Sequence, residues 1–264
     1  MTGEVTFELL GPVRAWRGSE VLDLGTPRQR ALLALLLLSE GRQVSAEAIV
    51  SALWGPNAPR SASTTTRSYA SRLRQVLLQQ ATKDSEIRSV GGGYQFIVNP
   101  ARVDALDFRH TTAAARAARD RGELEEACAL LRSALSRWHG PALGGLRGPY
   151  FEARRTWLEE QRHSARQSLW RLDIQRGRCE EAISELGEAT AARPFDEGLW
   201  ELLMLAFSRA DRRADALTAY QQASRLLNDE LGLEPGPALQ RTRTRILTAR
   251  QPAIQRSLSD RAVA

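Results

Sequence analysis

The chain opens with short segments in which hydrophobic and polar residues alternate. Residues 5–10 and 13–16 show this alternation on either side of Gly11-Pro12, a pair typical of a tight turn. Residues 21–24 form a third segment of the same kind. The pattern therefore predicts a small antiparallel sheet at the start of the chain.

Two helices are predicted after this sheet. Thr26 and Pro27 favour a helix start, because threonine caps free N–H groups and proline suits the first helical position. Residues 28–39 are too uniformly apolar for a surface helix, so we expect them to form the central helix of a compact domain. A second helix is expected from Ser45 to Gly55, where glycine favours a stop.

A third helix and a hairpin complete the first hundred residues. Helical spacing of the apolar positions predicts the helix over residues 63–80. Residues 87–90 and 94–98 flank the glycines at 91–93, which permit the positive φ of a chain reversal, so a β-hairpin is predicted. Three helices followed by a hairpin is the element order of a winged helix, with a helix-turn-helix in the second and third helices and the hairpin as the wing.

Charge adds a candidate surface to this fold. The 264 residues carry 37 Lys and Arg against 31 Asp and Glu, a net charge of +6 that says little by itself about partners. The stretch from residue 60 to residue 83, however, contains no acidic residue. Its cations are Arg60, Arg67, Arg72, Arg74 and Lys83. A basic helix able to enter a major groove about 12 Å wide indicates DNA binding.

Beyond Asn99-Pro100 the sequence is helical almost throughout and repeats itself. Residues 177–182 resemble residues 211–216 at an offset of about 34 residues, the period of a tetratricopeptide repeat. An earlier copy lies at residues 121–127, and an insertion around residues 138–149 separates it from the others.

Small, large and small residues recur in these repeats at spacings of four and three. The two sets are Ala182, Leu186 and Ala189, then Ala216, Tyr220 and Ala223. Each repeat alone leaves its apolar face open, so neighbouring repeats must stack. We expect Trp157, Trp170 and Trp200 to lie in the resulting core, and we expect the stacked helices to offer a groove to a protein partner.

The fold class that follows is mainly α with small β-sheets, in two domains and a tail. Residues 1–100 form the winged helix-turn-helix and residues 101–250 the tetratricopeptide-like helical domain. Gly232 is expected to cap the penultimate helix. Residues 251–264 are polar, and we expect them to be disordered.

Motifs of enzymes, metal sites and membrane segments are missing from the sequence. His110, His139 and His163 lack metal-ligand spacing, and neither G-x-S-x-G nor a phosphate-binding loop occurs. Cys128 and Cys179 follow no motif, so we expect two buried thiols in a reducing cytoplasm. We expect no cofactor, no metal, no signal peptide and no transmembrane helix, because no apolar run approaches 18 residues.

Several stretches, taken in order, resemble a known family. They are residues 7–13, 28–36, 52–55, 67–74 and 93–94, followed by residues 194–197, 202–204, 216–220 and 229–235. The sequence resembles the Streptomyces antibiotic regulatory protein (SARP) family in its short two-domain form. Members join an OmpR-type winged helix to a bacterial transcriptional activation domain.

This resemblance implies a cytoplasmic, nucleoid-associated activator of a secondary-metabolite gene cluster. Such a protein binds direct repeats of promoter DNA near the −35 region, as a homodimer on DNA, and recruits RNA polymerase holoenzyme. Carried over by position, the DNA-binding residues are Arg28, Arg30, Trp54, Thr64, Thr65, Tyr69, Arg72, Arg74, Arg88, Gly93 and Tyr94. The loop expected to contact polymerase comprises Gly55, Pro56, Asn57, Ala58, Pro59 and Arg60.

Within that set, the resemblance implies different roles. Thr65, Tyr69 and Arg72 would face bases, and the wing would lie near a minor groove. The residues that would face phosphates are Arg28, Arg30, Trp54, Thr64 and Arg74. An alternative from the residues alone is a helical-repeat scaffold or ligand-binding regulator with weak or no DNA binding, because Thr66 and Ala70 are small for the inner face of a recognition helix.

Overall fold

The structure is a computed structural model that describes residues 4–78 and 85–248. Its contacts group into two compact units, Met1–Leu169 and Trp170–Ala264. The described residues are mainly helical with two small antiparallel sheets, as the hydrophobic pattern predicts. The predicted tail, residues 251–264, and the predicted end of the third helix at Gln80 lie outside the described residues.

The first sheet contains three antiparallel strands in the order β1-β2-β3. These are β1 (Val5–Glu8), β2 (Arg14–Arg17) and β3 (Glu20–Val21). The third strand is shorter than residues 21–24 predict and starts one residue earlier. Leu22 and Leu24 are nonetheless buried, since their side chains enter the core from irregular backbone.

Helix α1 (Pro27–Leu38) is the central helix of this part of the chain. The side chain of Thr26 accepts from the N–H of Gln29, and the side chain of Gln29 accepts in turn from the N–H of Thr26. This capping box satisfies two N–H groups that a helix start otherwise leaves free. Every residue from 31 to 38 is buried, which confirms the predicted central position.

The helix-turn-helix and the wing follow. Their elements are β4 (Val44–Ser45), α2 (Ala46–Trp54), α3 (Ala62–Leu78), β5 (Ser85–Val90) and β6 (Gly93–Val98). The strand order β4-β6-β5 adds a strand that the sequence did not predict. Gly91 and Gly92, with φ of 51° and 77°, make the two-residue hairpin turn.

Three more helices begin in the first unit. They are α4 (Asp104–Asp120), α5 (Leu124–Leu135) and α6 (Pro149–Gln175), and α6 spans the point where the units divide. The insertion predicted around residues 138–149 is irregular backbone up to the start of α6. Trp157 is 39% exposed, so the prediction that it lies in the core is wrong. Its indole instead lies 5.9 Å from the guanidinium carbon of Arg109 at the surface.

The second unit contains the later repeats. Its helices after α6 are α7 (Cys179–Ala192), α8 (Glu197–Arg209), α9 (Arg213–Leu231) and α10 (Pro237–Thr248). Trp170 and Trp200 are buried there with the small residues of the repeat pattern, including Ala182 and Ala216. Gly232 ends α9 in the left-handed conformation at φ 66°, as predicted.

Asp104 ties the start of α4 to the end of β1. Its carboxylate accepts hydrogen bonds from the N–H groups of Leu9 and Leu10 at 2.8–2.9 Å. Burial raises the pKa of this carboxyl from 3.8 to about 6, although the hydrogen bonds from Leu10, Leu9 and Ala105 oppose the shift. The desolvation of the charge outweighs the N–H groups that stabilise it.

The raised pKa of Asp104 predicts a pH dependence of stability. Between about pH 4 and pH 6 the folded chain binds more protons at this carboxyl than the unfolded chain does, so the stability it contributes is lost as the pH rises through that window. Relative to Asp104→Asn, we expect the wild type to gain a few degrees in melting temperature as the pH falls from about 6.5 to about 4. A difference that stays constant across this range would show that the group does not titrate there.

Candidate nucleic-acid interface

Helix α3 packs tightly through its inner face. Thr66, Ala70, Leu73 and Leu77 are all at most 2% exposed. The buried hydroxyl of Thr66 donates to the carbonyl oxygen of Ala62 at 2.9 Å, so its polar group is satisfied. The small residues at 66 and 70 therefore do not loosen the helix, which removes the main argument for the scaffold alternative.

The opposite side of α3 is exposed and positively charged. Thr64 and Arg72 are exposed, whereas Thr65 is half-buried. Among residues 4–78 and 85–248, no acidic side chain pairs with Arg67 or Arg72. Guanidinium groups that are exposed and have no acidic partner keep their full charge for an external anion.

A cation and two aromatic rings lie side by side at one flank of α3. The rings of Trp54, at the end of α2, and Tyr69 are nearly parallel, with centroids 6.4 Å apart and an angle of 6°. The guanidinium carbon of Arg28, on the first turn of α1, lies 5.7 Å from the Trp54 ring. The structure thus brings together three of the predicted site residues from three helices. Arg30, the other candidate on α1, is half-buried.

Arg74 lies on the other flank and holds the wing. Its Nε donates to the carbonyl oxygen of Ile87 at 2.8 Å, and its Nη2 donates to Oγ of Ser89 at 2.8 Å. The guanidinium also lies 5.6 Å from the ring centroid of Tyr94. Because residues two apart in a helix point roughly 200° apart, Arg72 and Arg74 serve different sides of the recognition helix.

The predicted DNA-binding residues of the wing differ in their exposure to solvent. Arg88 is exposed but forms an ion pair with Glu86 at 2.7 Å, which reduces the net charge of the wing. Gly93 and Tyr94 are buried, so we assign them a structural role and not a surface contact. Buried positions cannot reach a groove unless the wing rearranges.

Gln43 is a residue of this region that sequence reasoning missed. Its Nε2 donates to the carbonyl oxygens of Val90 and Gly91, at 2.8 Å and 3.2 Å. These bonds hold the wing tip against the segment before α2. No periodicity marks such a residue, because its partners lie nearly fifty positions away in the chain.

The loop between α2 and α3 is exposed. It starts as a 3-10 turn, Gly55–Asn57, in which Gly55 has φ 63°. Residues 56–60 are all exposed, and no described acidic side chain pairs with Arg60.

The two buried cysteines, Cys128 and Cys179, are confirmed as predicted. Within the described ranges no group of His, Cys, Asp or Glu side chains could hold a metal, and no helix could cross a membrane.

The sequence matches two known protein families. Residues 20–96 match the family described as "Transcriptional regulatory protein, C terminal", and residues 103–247 match "Bacterial transcriptional activator domain". The second match alone spans more than half of the sequence. The chain belongs to the Streptomyces antibiotic regulatory protein family. The two matched regions are those of a transcriptional regulator with a DNA-binding winged helix.

Several regulatory proteins are similar to this chain over nearly its whole length. Regulatory protein AfsR of Streptomyces coelicolor is 45% identical over 96% of this chain, which spans 25% of that protein. Regulatory protein DnrI of Streptomyces peucetius is 32% identical over 95% of this chain and 94% of its own length. A solved structure of Mycobacterium tuberculosis EmbR with a low affinity phosphopeptide superposes with a TM-score of 0.88, at 33% identity over 93% of this chain and 65% of that chain.

Proposed function

We propose that this SARP-family chain is a sequence-specific transcriptional activator of a secondary-metabolite gene cluster. It binds directly repeated promoter sites near the −35 region as a homodimer and recruits RNA polymerase holoenzyme in the cytoplasm, at the nucleoid. The observation that carries the proposal is the exposed, acid-free arginine face of α3. The similarity to AfsR and DnrI, both named regulatory proteins of Streptomyces, supports the choice of pathway.

Direct base contacts are assigned to one flank of α3. Arg72 suits the bidentate recognition of guanine, because its guanidinium presents two parallel donors. Tyr69 lies one turn before Arg72 on the same flank, and Thr65 lies one turn before Tyr69. A groove-bound α3 would present these three side chains to successive bases.

Phosphate contacts are assigned to the residues around α3. Arg28 and Trp54 form one anchor beside the base-reading flank, and Arg30 and Thr64 are assigned to phosphates as well. Arg88 supplies the contact from the wing. Such contacts fix orientation and supply affinity but carry no sequence information.

Exposure and the family matches support the remaining assignments. The loop of residues 55–60, which is exposed from Pro56 to Arg60, is available to polymerase while α3 occupies DNA. Residues 1–100 are assigned to DNA binding and residues 101–250 to activation, close to the two matched regions at 20–96 and 103–247.

A binding experiment tests the proposal. Footprinting of the full chain on the promoters of its host gene cluster should protect two directly repeated sites, and affinity should fall with salt at a slope of about −0.9 per phosphate neutralised. A protein that retards no promoter fragment in a gel shift at low salt would overturn the assignment.

Arg74→Ala is expected to weaken binding to all DNA sequences about equally. The substitution removes two hydrogen bonds that join α3 to the wing, so the wing loses its fixed position while base-reading residues stay in place. We expect an affinity loss of about five- to tenfold on specific and unrelated DNA alike, measured by gel shift. Ser89→Ala, which removes one of the two bonds, should have a smaller effect of the same kind. A loss confined to the specific site would contradict this assignment.

A further inference from the structure

A cleft of about 700 Å³ opens beside the candidate DNA-binding surface, within the first compact unit. One wall comes from α1, the end of α2 and Tyr69 of α3, and the other from residues 145–149 and Phe151. This volume lies in the range of roughly 300–1,000 Å³ that small-molecule sites occupy.

The lining of the cleft is largely apolar and aromatic. Ala31, Ala52, Leu53 and Leu146 line it together with Trp54 and Tyr69. Trp54 and Tyr69 are half-buried, and their rings lie in nearly parallel planes. Parallel aromatic surfaces at the edge of an apolar cleft favour a flat aromatic guest, which stacks at little cost in conformational entropy.

The charge of the cleft is entirely positive. No acidic residue is among those lining it, whereas Arg28 and Arg147 are. Both arginines are exposed, and neither forms an ion pair within the part of the chain that the structure describes. The positive potential of these arginines attracts an anionic group on the guest, gives no such attraction to a guest without one, and repels a cationic guest.

Two of the residues lining the cleft are glycines with open space beside them. Gly55 and Gly145 both line it, and a Cβ built on either would meet no atom within 4 Å. Both have positive φ, 63° and 84°, which glycine adopts without strain. Neither position therefore carries a side chain that would narrow the cleft.

We propose that this cleft binds a planar aromatic molecule of several fused rings that carries a carboxylate or another anionic group. The rings stack on Trp54 and Tyr69, and the anion pairs with Arg147 and Arg28. The effect on DNA rests on the proposed function, in which Arg28 and Trp54 contact phosphates. A ligand in the cleft therefore weakens DNA binding, and bound DNA lowers the affinity for the ligand by the same factor.

Calorimetry on the full chain without DNA tests the site itself. The probe is anthraquinone-2-carboxylate, and its neutral match is anthraquinone-2-carboxamide. We expect the carboxylate to bind with one site per chain and about tenfold more tightly than the carboxamide, because only the carboxylate can form an ion pair with the guanidinium groups. Arg147→Ala should remove most of that preference. Arg116→Ala, at an exposed arginine of α4 that does not line the cleft, should not.

Gel shifts with the probe then separate this inference from the proposed function. Arg147 has no assigned DNA contact, so Arg147→Ala should bind promoter DNA as the wild type does. Adding the probe should weaken the DNA binding of this variant much less than that of the wild type. Wild-type chain that binds DNA but not the probe would overturn the cleft assignment alone. Equal affinity of carboxylate and carboxamide, or an Arg147→Ala variant with unchanged probe affinity, would overturn it as well. Probe binding by a chain that retards no DNA would overturn the proposed function and leave the site standing.

Discussion

Gly93→Ala is expected to detach the wing from the helix-turn-helix. A Cβ at residue 93 would lie 2.1 Å from the carbonyl oxygen of Val44 and 2.9 Å from the Cα of Ser45. Both distances are far inside van der Waals contact, which begins near about 3.5 Å. Since both neighbours are backbone atoms, no side-chain rotation relieves the overlap, and β4 must move away from β6.

The displacement of β4 has consequences on both sides of the wing. Val44 pairs with Tyr94 and Ser45 with Gly93, so these two register positions would be lost. Ser45 is also the N-cap of α2, where its hydroxyl accepts from the N–H of Ala48. We therefore expect a destabilisation of about 3 kcal/mol, the upper part of the range for overpacked sites.

Gly92→Ala is the matched control for this substitution. Gly92 directly precedes Gly93, in the hairpin turn, at φ 77°, but a Cβ there would meet no atom within 4 Å. Its cost is the left-handed conformation alone, about 1 kcal/mol. Thermal unfolding followed by circular dichroism should show a clearly larger fall in melting temperature for Gly93→Ala, together with a larger loss of DNA affinity. Equal melting of the two variants would show that β4 and β6 can separate freely.

Local patterns predict well those features that depend on neighbouring residues. The capping of α1 by Thr26, the inner face of α3 and the glycine stop at Gly232 all depend on contacts within one turn or one helix. Strand β4 escaped prediction because two residues carry no periodicity, and its pairing depends on a strand some fifty residues later.

The candidate site could be predicted less completely than the fold. Arg72 and Arg74 look alike in the sequence, yet one is exposed and the other holds the wing. The stacking of Arg28 on Trp54 joins two helices, so neither helix alone indicates it. The exposure of Trp157 likewise depends on which parts of the chain meet α6, and side-chain hydrophobicity does not determine that.

Arg72→Ala is expected to remove base discrimination while leaving most non-specific affinity. The side chain is exposed and has no acidic partner among the described residues, so no internal contact is lost with it. A bidentate contact with guanine contributes roughly 1–3 kcal/mol of discrimination, which corresponds to a preference of about five- to 150-fold. Competition gel shifts with the specific site and a site changed at one guanine would measure this preference directly.

Arg72→Lys separates base reading from charge. Lysine keeps the positive charge but cannot present the planar pair of donors. We expect it to lose nearly the same discrimination as alanine while keeping the affinity of the wild type for unrelated DNA. If Arg72 instead neutralised a phosphate, Arg72→Ala would lower the salt slope by about 0.9, and lysine would restore it. Unchanged base preference in both variants would remove Arg72 from the recognition surface, and Tyr69 and Thr65 would then have to account for specificity.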